Sequence, residues 1–182
     1  MQQTTINRQL SWSKIVSRLQ QEVAELPTSE RNWISARLAA IALIQSELHR
    51  CVSQSGSEVL CAHCCEHCCG EGRNHLGLAN LLFYLLEGDE LKADFSAPCP
   101  QLGPSGCFFP PERRPFNCIT FNCDEVEEPM EAAQRQRLVT LETALRALYE
   151  SFANRYLGAS PQGLLIRSAT LGQRPFLTRC DK

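Results

Sequence analysis

The sequence lacks the features that would place it in several large classes of protein. Its 18 basic residues are offset by 20 acidic ones, which gives a net charge of −2. No sequence-wide positive field therefore indicates binding to nucleic acid or to an acidic membrane. The longest strongly apolar run, residues 81–86, is too short to span a bilayer. There is no Gly-rich nucleotide turn, and no Ser-His-Asp order indicates a hydrolase.

The amino terminus also lacks the pattern of a signal peptide. Its first residues, MQQTTINRQLSW, contain neither a long apolar run nor a basic segment before one. We therefore expect a cytoplasmic protein, in which thiols stay reduced. The length of 182 residues and a hydrophobic content of 43% predict a single domain, residues 1–182, with a hydrophobic core.

Cysteine is the residue present in excess. The chain has 11 cysteines, and nine of them lie from Cys61 to Cys123, which leaves only Cys51 and Cys180 outside. Such density would indicate disulfides in a secreted chain, but it favours metal binding in a cytoplasmic one. The densest stretch is residues 61–70, CAHCCEHCCG. A Cys-x-x-Cys turn points two sulfurs at one centre, and thiolate is the form that binds soft metals.

Helical segments flank this cysteine-rich core, residues 61–123, at residues 11–54 and 129–158. Pro27 divides the first segment, and Thr28 or Ser29 is expected to cap its second helix. Two long helices carry apolar seams at steps of three and four residues. The seams are Ile34, Leu38, Ile41, Gln45, Leu48 and Val52, and Leu138, Leu141, Leu145, Leu148, Phe152 and Tyr156. The matched seams favour an antiparallel pair within one chain, and they leave open a homodimer or another protein partner.

The remaining segments complete a mainly α prediction, with long helices packed around or beside an irregular cysteine-rich metal-binding segment. A third helix is predicted at residues 76–87, with Gly88 as its C-cap. Residues 94–129 hold seven of the 10 prolines, which excludes a long helix or a regular sheet there. A short strand is expected around residues 164–166.

Four cysteine motifs occur in a fixed order. The run at residues 61–69 is followed by Cys99-Pro100-Gln101-Leu102, by Gly106-Cys107, and by RPFNCITFNC at residues 114–123. This order resembles the YkgJ-type cysteine-cluster proteins, a family described as zinc- or iron-chelating. The family shows Cys-x-x-Cys-x-x-Cys-Cys, then Cys-Pro-x-Leu, Gly-Cys and Arg-Pro-x-x-Cys-x-x-Phe.

The resemblance implies eight metal ligands, one for each cysteine of the family pattern. They are Cys61, Cys64, Cys68, Cys69, Cys99, Cys107, Cys118 and Cys123. The chain departs from the pattern at one point, because three residues rather than two separate Cys64 from the Cys68-Cys69 pair. One of these three is Cys65, so Cys64 and Cys65 remain alternatives for one ligand.

The spacing admits either an iron–sulfur cluster or zinc. Zinc sites commonly combine two Cys-x-x-Cys turns, and the downstream cysteines form no second turn. A tight loop of three thiolates with a remote Cys-Pro, here Cys99-Pro100, is closer to iron–sulfur ligation. Eight ligands also allow two sites. His63, His67 and His75 are interpreted as solvated or outer-sphere groups, and Arg114 is the best candidate to offset thiolate charge.

Three functions follow as hypotheses. The first is a metal-binding protein whose cluster acts in redox chemistry or electron transfer. The second is a structural zinc module whose helices bind a protein partner. The third is part of an enzyme system, because a flagellin lysine methylase carries a related cluster, which implies methyl transfer by resemblance.

Overall fold

The fold is mainly helical, as predicted. The computed structural model describes residues 2–56, 68–103 and 106–180, and it is 64% helix and 4% strand. The α-helices are α1 (Gln2–Ala24), α2 (Thr28–Ser53), α3 (Leu78–Glu87), α4 (Phe116–Thr120), α5 (Asp124–Glu127), α6 (Ala132–Ala153) and α7 (Leu164–Leu171). Two 3₁₀ segments are Cys68–Asn74 and Pro111–Arg113, and two short strands are β1 (Leu102–Gly103) and β2 (Gly106–Cys107).

The first two helices meet at Pro27, where the sequence predicted a break. The proline is the N-cap of α2, and its carbonyl accepts hydrogen bonds from the backbone N–H groups of Glu30 and Arg31. No side chain caps this helix, so the prediction that Thr28 or Ser29 is the cap is wrong. Thr28 is already the first helical residue, because the preceding proline holds the extended conformation that an N-cap requires. The helix α1 begins earlier than predicted, at Gln2.

The helices α2 and α6 form the antiparallel pair that their seams predicted. At one end, the rings of Trp33 and Phe152 lie 5.3 Å apart. At the other end, Gln134 Nε2 donates to the carbonyl of Cys51 at 2.6 Å. The buried seam residues are Ile34, Leu38, Ile41, Gln45 and Leu48 of α2, and Leu138, Leu141, Leu145 and Phe152 of α6. The two seams therefore cover each other within one chain.

The helix α3 lies in the core and is buried along its first two turns. Its start is fixed by Asn80, whose Oδ1 accepts a hydrogen bond from the backbone N–H of Gly77. Its end is fixed by Gly88, which takes the left-handed conformation at φ 74°, as the predicted C-cap should. α3 packs against α1 on one side and against α2 and α6 on the other.

The tail contains a helix where the sequence predicted a strand. The run Leu164–Leu171 is α7, and its two end residues, Leu164 and Leu171, are both buried. Positions seven apart share a helical face, and a short apolar run does not distinguish a strand from a buried helix. Gly163, at φ 75°, turns the chain into α7 against the backbone of Asn74. Contacts with the rest of the fold, rather than the local sequence pattern, therefore determine that this segment is a helix.

The proline-rich part, residues 94–129, contains only short elements within its described residues. β1 and β2 form a two-residue antiparallel ladder, and α4 and α5 are each one turn or slightly longer. In the described part of the chain, no helix is both long and apolar enough to cross a membrane.

Candidate metal centre

Two of the predicted ligands, Cys99 and Cys118, converge beside Gly72. A Cβ atom on Gly72 would lie 3.3 Å from the Sγ of Cys99 and 3.6 Å from the Sγ of Cys118. The two sulfurs are therefore separated by no more than the sum of these distances, although 19 positions separate the residues in the chain. The missing side chain of Gly72 leaves the space between the first 3₁₀ segment and both thiols open.

His75 and Gln101 border these two thiols. The Nδ1 atom of His75 lies 3.4 Å from the Sγ of Cys118. The Sγ of Cys99 lies 3.8 Å from the side-chain oxygen of Gln101, which is buried. The imidazole of His75 is close enough to hold the Cys118 side chain in place.

The electrostatics of the thiols show that Cys69 and Cys107 belong to the same neighbourhood. Cys118 is exposed as a residue, but crowding around its sulfur, together with the nearby Cys107, Cys99 and Cys69, raises the pKa of Cys118 to about 12. The guanidinium of Arg114 acts on it in the opposite direction, as expected. Burial also raises the pKa of Cys99, with a further contribution from Cys107. Thiols in this setting stay protonated unless a cation offsets their charge.

The remaining predicted ligands are Cys61, Cys64, Cys68 and Cys123. Cys61 and Cys64 lie outside the described residues, as does Cys65, and so does the side chain of Cys68. Cys123 is exposed at the start of α5, and nothing in the described part of the chain brings it to the other thiols. Among the described residues, no three His, Cys, Asp or Glu side chains converge closely enough to hold a metal ion.

The segment that leads to Cys118 is held by buried or half-buried polar side chains from three helices. The carbonyl of Arg114 accepts hydrogen bonds from Gln45 Nε2 of α2 at 2.6 Å, from Asn80 Nδ2 of α3 at 3.1 Å, and from Tyr149 Oη of α6 at 3.4 Å. Asn80 also donates to the carbonyl of Arg113 at 3.1 Å. We call Gln45, Asn80 and Tyr149 the carbonyl clamp. It fixes the chain directly before Pro115 and α4, which carries Cys118.

Sequence reasoning found one member of the carbonyl clamp without finding its role. Gln45 interrupts an apolar seam, and a buried amide in such a position needs a hydrogen-bond partner. Asn80 and Tyr149 carry no comparable signal. Arg113, which precedes Arg114, pairs with Glu87 and Asp89 rather than with a thiol.

Comparison with known proteins gives no family for this chain. No family model, no curated protein and no solved structure matches it. The resemblance to the YkgJ-type proteins therefore rests on the four motifs alone and stays a prediction.

Proposed function

We propose that this protein binds an iron–sulfur cluster or zinc through its cysteine cluster, and that an iron–sulfur cluster in this position would serve in redox chemistry. The observation that carries the proposal is the convergence of Cys99 and Cys118 on the space beside Gly72. The chemistry of the donors supports it, since soft thiol sulfurs bordered by one imidazole suit zinc and iron. Cys61, Cys64 and Cys68 would supply the remaining thiolates.

The charge state of these thiols gives the physical reason for a metal. The raised pKa of Cys118 reflects loss of water and the presence of neighbouring thiols. A cation placed among these thiols favours their thiolate form, so metal binding would release protons. The bound cation would then be attracted by several anionic ligands at once. None of the described cysteines is paired in a disulfide, so their sulfurs are available as ligands.

Two other functions, a structural zinc site and methyl transfer, remain as alternatives, each supported by a different argument. A structural zinc site is favoured by the short elements of residues 94–129, because a metal would order a segment that regular hydrogen bonds do not. Methyl transfer rests only on the resemblance to a flagellin lysine methylase. Metal identity separates the first two, since only an iron–sulfur cluster would give a brown protein with acid-labile sulfide.

The proposal is tested by the metal content of protein purified without oxygen. We expect Cys61→Ser, Cys99→Ser and Cys118→Ser each to lose more than half of the bound metal. Cys51→Ser and Cys180→Ser are the matched controls and should keep it, because these residues lie outside the four motifs. Full retention of metal by Cys99→Ser would contradict the site.

Glycine variants test the geometry on the same samples. Gly72→Ala adds a methyl group 3.3 Å from the Sγ of Cys99, which is tighter than an ordinary contact, and should lower metal content. Gly77→Ala is the control, because its Cβ would lie 3.5 Å from Asn80 Oδ1, at ordinary van der Waals distance. Equal metal content in the two variants would mean that the space beside Gly72 is not part of the site.

A further inference from the structure

A cavity of about 160 Å³ lies beside the thiol cluster. One wall is His75, whose imidazole contacts Cys118, and the first turn of α4 adds Phe116 and Asn117. The opposite wall is a single face of α6, formed by positions three and four residues apart. Those positions are Arg146, Tyr149, Glu150 and Ala153. The cavity is thus one side chain away from the proposed metal centre.

The walls suit a flat apolar group. Phe116 and Tyr149 meet edge to face with their ring centroids 5.6 Å apart, and Phe152 adds a third ring. An apolar protein cavity of about 150 Å³ is large enough to bind benzene. The deeper polar groups, Asn80 and Tyr149, already contact the Arg114 carbonyl, so an apolar occupant would not leave them without partners.

The charged residues at the cavity mouth indicate which polar group a bound molecule would carry. Arg146 lies 4.8 Å above the Phe116 ring, pairs with Glu142, and keeps 55% of its side chain exposed. The first turn of α3, from Leu78, also opens on the cavity, and the positive end of its dipole adds to the attraction for an anion. Glu150 is the one opposing charge among the described lining residues. A carboxylate on the occupant would meet Arg146.

We propose that this cavity binds a small aromatic carboxylate, with its ring against the Phe116–Tyr149 pair and its carboxylate at Arg146. Such a molecule would lie next to His75 and hence next to the centre held by Cys118. Its role as a substrate or modulator of that centre rests on the proposed function, but its binding does not. The proposal deepens that function by naming a ligand class for the same site.

The test compares three probes of similar size by amide chemical-shift titration of the full-length protein. Benzoate, toluene and benzylamine share a six-membered ring and differ in the charge of the attached group. We expect benzoate to bind at least ten-fold more tightly than the other two and to shift the amide signals of residues 75–80, 116–117 and 146–153. Equal binding of the three probes, or shifts elsewhere in the protein, would overturn the proposal.

Variants on α6 make the test specific. Ala153→Leu fills the cavity, and Arg146→Gln removes the cation on an exposed surface where folding is not at risk; each should weaken benzoate binding at least ten-fold. Ala147→Leu, on the exposed side of the same helix, is the control and should change nothing. Unchanged binding in Arg146→Gln would exclude the carboxylate contact, even if Ala153→Leu failed to fold.

Metal content measured on the same samples separates the two proposals. Absence of metal from protein purified without oxygen would contradict the proposed function, and benzoate binding by that same protein would still support the cavity proposal. Metal-loaded protein that does not bind benzoate would overturn the cavity proposal alone.

Discussion

At the scale of single residues, the buried polar side chains point to the cysteines. Within the described residues, three amide side chains are buried, namely Gln45, Asn80 and Gln101. Gln45 and Asn80 hold the carbonyl that precedes Pro115, and Gln101 borders the Cys99 thiol. Burying an amide costs free energy unless it forms hydrogen bonds. In this core the amide nitrogens of Gln45 and Asn80 recover that cost at the Arg114 carbonyl, whereas Gln45 Oε1 has no partner among the described residues.

Tyr84 has a buried hydroxyl that does not hold the chain near the cysteines. Its hydroxyl has no hydrogen-bond partner among the described residues, and burial raises the pKa of Tyr84 to about 12. An unsatisfied buried hydroxyl destabilises a fold by about 1–3 kcal/mol. We therefore expect Tyr84→Phe to raise the free energy of unfolding, by about 1 kcal/mol, in urea denaturation.

A second tyrosine provides the control for this prediction. The hydroxyl of Tyr156 donates to Glu30 Oε1 at 2.5 Å, so Tyr156→Phe should lower the free energy of unfolding by about 1–2 kcal/mol. Destabilisation of similar size in Tyr84→Phe would show that its hydroxyl has a partner, and the nearby Cys107 thiol would then be the first group to test.

At the scale of elements, one ionic network joins three parts of the chain. Glu30, near the start of α2, accepts two hydrogen bonds from Arg155 and one from Tyr156, just beyond α6, and Arg179 of the tail lies 3.4 Å away. Arg155 also lies 4.2 Å from the centre of the Trp33 ring. The network ends α6 earlier than the sequence predicted, because residues 154–157 turn to meet the tail through the Tyr156–Arg179 bridge.

This network predicts acid sensitivity. The hydrogen bonds from Arg155 lower the pKa of Glu30 from 4.5 to about 2. A lowered carboxyl pKa stabilises the fold above pH 4.5, and that stabilisation is lost as the pH falls towards 2. The shift corresponds to about 3 kcal/mol, which solvent around the arginines reduces to about 2 kcal/mol. Glu30→Gln should thus destabilise the protein at pH 7 and have little effect near pH 2.

The measurement is urea denaturation of Glu30→Gln and of the parent protein across this pH range. Glu142→Gln is the control, because its pair with Arg146 is exposed and contributes only about 0.5 kcal/mol. A difference between Glu30→Gln and the parent that does not shrink below pH 4.5 would mean that the carboxylate charge is not what stabilises this corner.

The elements differ in how far the sequence could predict them. The α2–α6 pair follows from seams that recur at three and four residues, because a helix buries one face and no other structure fits that period. The helix α7 was mistaken for a strand, since Leu164, Leu165 and Ile166 are apolar in succession. Its state depends on contacts with α1 and the first 3₁₀ segment, which local pattern does not encode.

At the scale of the whole molecule, sequence reasoning found the cysteines but not their surroundings. Motif order brought out Cys99 and Cys118, which the fold does place together. The roles of Gly72, His75 and the carbonyl clamp could not be read from spacing, because they depend on how three helices and a 3₁₀ segment meet. Ligands in the residues outside the described part stay a prediction.

If the protein binds the proposed metal, its removal should divide the molecule into a stable part and an open part. The α2–α6 pair has its own apolar seam, so most of the far-UV helical signal should remain after treatment with a chelator. Residues 94–123 have few regular hydrogen bonds, and ordering a backbone costs about 1–2 kcal/mol per residue. A structural metal returns about 10 kcal/mol or more when it binds.

Limited proteolysis of the metal-free protein should then cut first between about residues 90 and 125, where the loss of cross-links lowers local stability. The carbonyl clamp opposes this opening at Arg114, so the first cuts should fall on the amino-terminal side of that residue. Equal resistance of the metal-free and metal-loaded proteins in this region would show that helix packing and the clamp, rather than a metal, hold the segment in place.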